Sequence, residues 1–346
     1  MRVTSISRTL LPLALLMSGI APVSAQTDAG YHVLRQMVLG GDGGWDYLTV
    51  DTTANLLYLS RSTRVMVVDL GTGKEIGEIP NTSGVHGIAL APQLGRGFVS
   101  DGRDSSVTIF DLKTLATIAV IHGVGANPDA IAFEPSTGRI FTLNGRSQDA
   151  TAIDASTGTI VGTIPLGGKP EFAVEDGHGM MYVNIEDKSE IVEFDPKTLK
   201  EVHRWPLAPC QEPSGLAIDR AHRRLFAGCD NKMMAVVDAD NGHVIATPPI
   251  GEGVDANRFD ATSGNAFASN GEGTLTVVHE VSPDSFVVSA TVPTKRGART
   301  MTLDERNGRL YVVTADFGPP PAATTDQPRP RPTIVPGSFE VIEIGH

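Results

Sequence analysis

Seven polar residues occupy one recurring place in this chain: Asp46, His86, Asp129, Glu171, Ser214, Asp255 and Arg299. Each is the second residue of a short apolar segment, as in "VHGIALA", "PDAIAFE" and "PEFAVED". Five of them carry a carboxylate or an imidazole, one a hydroxyl and one a guanidinium. A purely scaffolding position would repeat one residue type; this one changes from segment to segment and stays polar throughout. Carboxylates with a single imidazole suit Ca, Mg or Mn better than a thiolate-bound metal. If gathered in space, His86, Glu171, Asp46 and Asp255 are the expected ligands of such a divalent cation. Trp45, beside Asp46, joins all seven as the expected ligand-binding set. The bland alternative is a polar, water-filled channel mouth that binds nothing.

The elements that carry these residues repeat. Asp69, Asp111, Asp154, Asp195 and Asp238, with Glu280 in the same place, each end an apolar run such as "VMVVD" or "VTIFD". Their successive separations are 42, 43, 41, 43 and 42 residues. Upstream of each lies a second run ("LLYLS", "GFVS", "IFTL") and then the segment that holds the polar residue; downstream lies a fourth, such as "EIGEIP". Gly, Asn, Asp and Pro separate the runs, as turns require. Four short strands per unit of this period make a β-propeller blade. The repeated Asp is scaffold: its carboxylate accepts backbone N–H groups in the turn, and the glycine after it supplies positive φ. The expected fold is all-β, a single seven-bladed β-propeller of four-stranded blades. The seventh blade, with "ARTMTLD", "RLYVVTA" and "FEVIEIG", lacks an outer strand. The N-terminal strand "YHVLRQMVLG" is expected to supply it and close the ring.

These units resemble the YVTN-repeat β-propeller family, which includes YncE-like periplasmic proteins. "MYVN" at Met181–Asn184 is the nearest copy of the naming motif, "LYLS" and "LYVV" are looser copies, and the "VVD" turn also matches. The resemblance spans nearly the whole chain after its leader. It implies a fold, and a function only as broad as binding or surface interaction.

Arg2 and Arg8 followed by an apolar stretch and "APVSAQ" read as a secretory signal peptide over residues 1–25, with the propeller over 26–346. A periplasmic or secreted protein is expected. No later segment reaches the apolar length of a membrane helix. The formal charge of −12, or −14 without Arg2 and Arg8, argues against nucleic acid and anionic membranes as partners. A small molecule or a cell-envelope protein is the expected partner, and a monomer the expected state. Cys210 and Cys229 are placed on one face of the fifth blade, where an exported compartment permits a disulfide. His122, His178, His203, His222, His243 and His279 fall in turns or outer strands without ligand spacing. "PPPAATTDQPRPRPTIVPG", at 319–337, is a proline-dense insertion in the last blade, either a solvated loop or a lid.

Two function classes follow. One is an exported propeller that binds a small ligand or metal at the channel mouth, or serves as an interaction scaffold. The other is a metal-dependent lyase or hydrolase, lactonase-like or virginiamycin-B-lyase-like by fold analogy. In it the cation would polarise a substrate oxygen, with His86, Glu171 and Arg299 as candidate catalytic residues.

Overall fold

The computed structural model of the protein describes Met1, residues 30–321 and residues 332–346. The expected signal peptide and the middle of the proline-rich insertion lie outside the described residues. The described strands form seven antiparallel four-stranded sheets. In six of them spatial order equals chain order, as in blade one: Leu48–Asp51, Leu56–Arg61, Arg64–Asp69 and Lys74–Pro80. The seventh runs Met301–Asp304, Arg309–Thr314, Glu340–Gly345 and then His32–Val38. The N-terminal strand thus completes the last blade, and the ring closes as expected.

Alternating side chains explain why blades stack. In blade one, Leu57, Leu59, Met66 and Val68 point one way and pack on Tyr311, Val313 and Val341 of blade seven. Tyr58, Val65 and Val67 point the other way and pack on Ile88, Val99 and Phe110 of blade two. Both faces of the two middle strands are therefore apolar, and successive residues serve different interfaces. Burying each such side chain contributes roughly 1.5–3 kcal/mol. The outer strands face solvent on most residues: Thr117–His122 leaves Ile118 and Val120 exposed.

The turn aspartates do what their position demands. Asp69 Oδ1 accepts the Thr72 amide at 2.7 Å and its hydroxyl at 2.8 Å. Asp111, Asp154, Asp195 and Asp238 accept amides in the same way. Glu280 does not. Its strand, Thr274–Ser282, runs past the usual turn and folds back at Pro283 and Asp284 into Ser285–Pro293. The expected place of Glu280 is one residue off: His279 pairs with Asn265 as Asp238 pairs with Arg224, and the Glu280 amide donates to the Gly264 carbonyl as the Ala239 amide does to that of Arg223. Cys210 and Cys229 form a disulfide, with Cα atoms 5.5 Å apart, between the approach to blade five and the end of its second strand.

Candidate functional site at the channel mouth

The innermost strands are interrupted where the polar series begins. Pairing with the second strand slips between Val85 and Ile88, Pro128 and Ala130, Pro170 and Ala173, Pro213 and Leu216, and Val254 and Ala256. His86, Asp129, Glu171, Ser214 and Asp255 each stand inside such a bulge. A bulge re-aims a side chain that a regular ladder would fix to one face of the sheet. The apolar residues that follow return to the core, so each strand serves the axis at its start and the blade interface beyond.

Hydrogen bonds between neighbouring blades hold these leading ends. Thr300 Oγ1 donates to the Asp46 carbonyl at 2.8 Å, and Thr49 Oγ1 to the Ile88 carbonyl at 2.7 Å. Asn184 Nδ2 donates to the carbonyls of Ser214 and Gly215, both at 3.0 Å. The loops between second and third strands join the same face: the Gly102 amide donates to the Gly84 carbonyl at 3.0 Å. A side chain at Gly102 would place its Cβ 2.5 Å from His86 Cδ2, so only glycine leaves room for the imidazole.

The ring does not act as one ligand set; it divides into three. In the first, His86 Nδ1 lies 2.6 Å from Asp46 Oδ2 and 3.1 Å from Asp129 Oδ1. Burial pulls the His86 pKa down, but the Asp46 hydrogen bond and the charges of Asp129 and Asp46 outweigh it and raise the pKa. Burial raises Asp129, with the His86 charge opposing. In the second, Asp255 accepts from Ser214 Oγ at 2.7 Å and from Arg299 Nε at 2.9 Å. Burial pushes Asp255 up to about 6, even with Arg299 beside it. In the third, Lys169 bridges Glu171 and Glu186. Two carboxylates share one ammonium there. Glu171, the more buried, is pushed up to about 9 by burial and by the charge of Asp129.

This partition redraws the expected metal set. The ligand atoms of Asp46, His86 and Asp129 lie within 4.8 Å of one another and could hold a cation. Glu171 is engaged by Lys169, and Asp255 by Arg299 and Ser214. Ser214 spends its hydroxyl on Asp255, not on His86.

Three residues below the mouth lie outside the expected ligand-binding set. The rings of Tyr47, from blade one, and Phe172, from blade four, lie 5.3 Å apart. The Arg258 guanidinium of blade six stands 4.9 Å from the Phe172 centroid. Opposite sides of the ring meet here, so the channel is crossed beneath the polar series. Tyr47 donates to the Asp255 carbonyl at 2.9 Å, and burial first, then the Asp255 charge, raises its hydroxyl well above the usual value. Only the repeat position of these residues, one or a few places after the polar series, could have pointed to them.

Above this floor is a cavity of about 490 Å³, lined by Trp45, Asp46, His86, Arg103, Arg146 and Arg299 among others. That size suits a small molecule. Trp45 contacts Phe317 and Phe339, with centroids 6.0 and 5.5 Å away, and so packs against blade seven while edging the cavity. The flanks of the proline-rich insertion pair nearby: Gly318 N donates to Thr333 O, and Val335 N to Asp316 O, both at 2.8 Å. A groove of about 540 Å³ farther out on blades one and two, around Arg64, Glu78, Asn81 and Asp104, is also polar, but it includes none of the seven ring residues and its Arg64 is paired with Glu78 at 3.0 Å.

No family model and no curated protein matches the chain. Among solved structures it is similar to a chain of Kuenenia stuttgartiensis hydrazine synthase, at 15% identity and TM-score 0.68. The match covers 79% of this chain and 94% of that one. The likeness is one of fold. It supports the β-propeller and carries no chemistry to the residues above.

Proposed function

We propose that the protein is an exported propeller of the YVTN-repeat kind that binds a small organic anion at its channel mouth. One observation carries this reading. Three guanidiniums line one cavity in a chain of net charge −12. Arg103 and Arg146 are exposed and make no ion pair among the described residues, and Arg299 meets Asp255 through Nε. A planar fork of donors matches a carboxylate or phosphate bidentately. Trp45 offers an apolar wall, and Asp46 with His86 a polar one.

A panel of mono- and dicarboxylates screened by thermal shift and calorimetry tests the proposal. Saturable binding that weakens at least tenfold in Arg103→Gln/Arg146→Gln is expected. Binding that the double variant leaves unchanged would sink it.

A second reading rests on the Asp46–His86 contact. A carboxylate on Nδ1 fixes the imidazole and leaves Nε2 to accept a proton, the arrangement of a general base. Beside an anion held by Arg299, that base suits a lyase or hydrolase. His86→Gln would then retain ligand binding and lose turnover; turnover that survives the substitution rejects this reading.

A further inference from the structure

We propose that Asp219, His222 and Glu280 form a divalent-cation site of the zinc class on the face of the ring opposite the channel mouth. The innermost strand of blade five, Pro213–Asp219, starts at the mouth and ends on that far face. Glu280 reaches the same place from the third strand of blade six. The site therefore bridges two blades.

His222 Nδ1 lies 2.7 Å from Asp219 Oδ2 and 2.8 Å from Glu280 Oε1. The three ligand atoms fall within 4.8 Å of one another. A single N–H cannot satisfy two carboxylates, so the group carries surplus negative charge. Both carboxylates are buried, with side chains 3% and 4% exposed, whereas that of His222 is 51% exposed. The half-open imidazole gives an ion a way in and leaves room for water in the remaining position.

Glu280 supplies the independent evidence. Glu280 follows His279, which holds the place of the turn aspartates, and its strand runs on past the usual turn. Neither of its oxygens has a donor of its own: the one close polar contact is His222 Nδ1 at 2.8 Å, which already serves Asp219. Among the described residues, the arginines of this turn and strand are already engaged. Arg224 is taken by the Pro283 carbonyl, Asp284 and Asp238, and Arg220 by Glu175. A buried carboxylate without donors is costly, and a bound cation removes that cost.

The donor set selects the ion. Imidazole with carboxylates suits zinc, whose open sites use three protein ligands and a water. Calcium demands six to eight oxygens, and Asp219 Oδ1 is already accepting the Ala221 amide at 2.9 Å. With bonds of about 2.0–2.1 Å, tetrahedral ligand atoms lie roughly 3.3 Å apart. The two nitrogen–oxygen contacts must therefore open by roughly half an ångström, which a half-exposed side chain allows. The Asp46–His86–Asp129 group is a weaker competitor for cations, because Arg299, Arg103 and Arg146 surround its cavity.

The test uses the untagged full-length protein and zinc chloride. His86→Ala removes the mouth histidine and isolates the far site. That variant is expected to bind one equivalent of zinc by calorimetry and to melt higher with zinc present. Zinc at a hundred times its Kd favours the folded state about a hundredfold. Adding His222→Ala or Glu280→Gln is expected to weaken zinc at least tenfold. His222→Ala removes the donor the two carboxylates share and is expected to melt lower without zinc, whereas Glu280→Gln removes a buried charge, should melt no lower than its parent, and so keeps loss of zinc distinct from loss of fold. Absent saturable binding in His86→Ala, or zinc affinity indifferent to His222→Ala, would overturn the proposal. Neither outcome bears on anion binding at the mouth, which is read separately.

Discussion

Asp46 of blade one and His86 of blade two, 40 residues apart in the chain, meet across the blade boundary at 2.6 Å. The contact joins the leading ends of two innermost strands and fixes the imidazole in the mouth. Because the folded state raises the His86 pKa, protonation and folding are linked. The stabilisation is fully present below the unfolded value of about 6.5. It is lost as pH rises through the raised folded value. Asp46→Asn should lower the His86 pKa and reduce stability in acid more than in base. Imidazole proton shifts and urea midpoints, each followed with pH, check this. A stability difference that grows with pH would contradict it.

Asp255 predicts the same slope for a different reason. Its folded pKa is about 6, above the usual aspartate value, because burial disfavours the charge. The cost is absent in strong acid, appears as pH rises, and is complete above the folded value. Arg299 offsets part of it from 2.9 Å. Arg299→Gln should therefore destabilise by about 1–2 kcal/mol near neutral pH, less than a fully buried broken pair, since Arg299 is half exposed. The loss should vanish toward pH 4. Equal losses at both pH values would show that packing, not charge, is what Arg299 provides.

The propeller was legible because its turns have one solution. An Asp followed by Thr-Gly or its equivalents returns every 41 to 43 residues, and only a four-stranded blade needs that. The polar series was legible for the same reason: repeats superimpose, so a position that varies stands out. Pairing within the series was not legible. Lys169, two places before Glu171, and Arg258, three after Asp255, meet partners through bulges and across the axis, which no linear spacing records. His222 shows no ligand spacing in the chain, and the structure places it against two carboxylates. Its partners are one residue in its own turn and one in the next blade. Counting residues put Glu280 in the place of the turn aspartates, but His279 holds it, because spacing alone does not record a one-residue shift between blades.

Arg61 anchors the seam where the chain ends meet. Its buried guanidinium donates to the carbonyls of Gly40, Gly41, Asp42 and Gly43 at 2.9–3.2 Å and lies 3.6 Å from the Phe339 centroid. Burial lowers its pKa to about 10, still charged at neutral pH. Gly40, Gly41 and Gly43 have positive φ, so the loop can wrap the cation where other residues would be strained. Arg61→Met should cost about 1–3 kcal/mol, because it strands the buried Gly40 carbonyl and releases those of the exposed Gly41, Asp42 and Gly43. Arg61→Lys should recover only part, having no planar fork. Urea midpoints rank the three proteins. Arg61→Met within error of the parent would show that the loop holds without the guanidinium.

The disulfide offers the last test, since it closes a short loop in an otherwise hydrogen-bonded ring. Cys210 and Cys229 are 19 residues apart. Chain-entropy reasoning gives about 3 kcal/mol for a loop of that size. Both sulfurs are buried in the cluster of Leu207, Leu216 and Ala227. The Cys210→Ala/Cys229→Ala pair should therefore lower stability without exposing a polar group. The seven blades should persist, because every ladder of blade five is independent of the bridge. Circular dichroism should keep its strand signature while the urea midpoint falls. Loss of the strand signature in the variant would mean that blade five requires its bridge to fold.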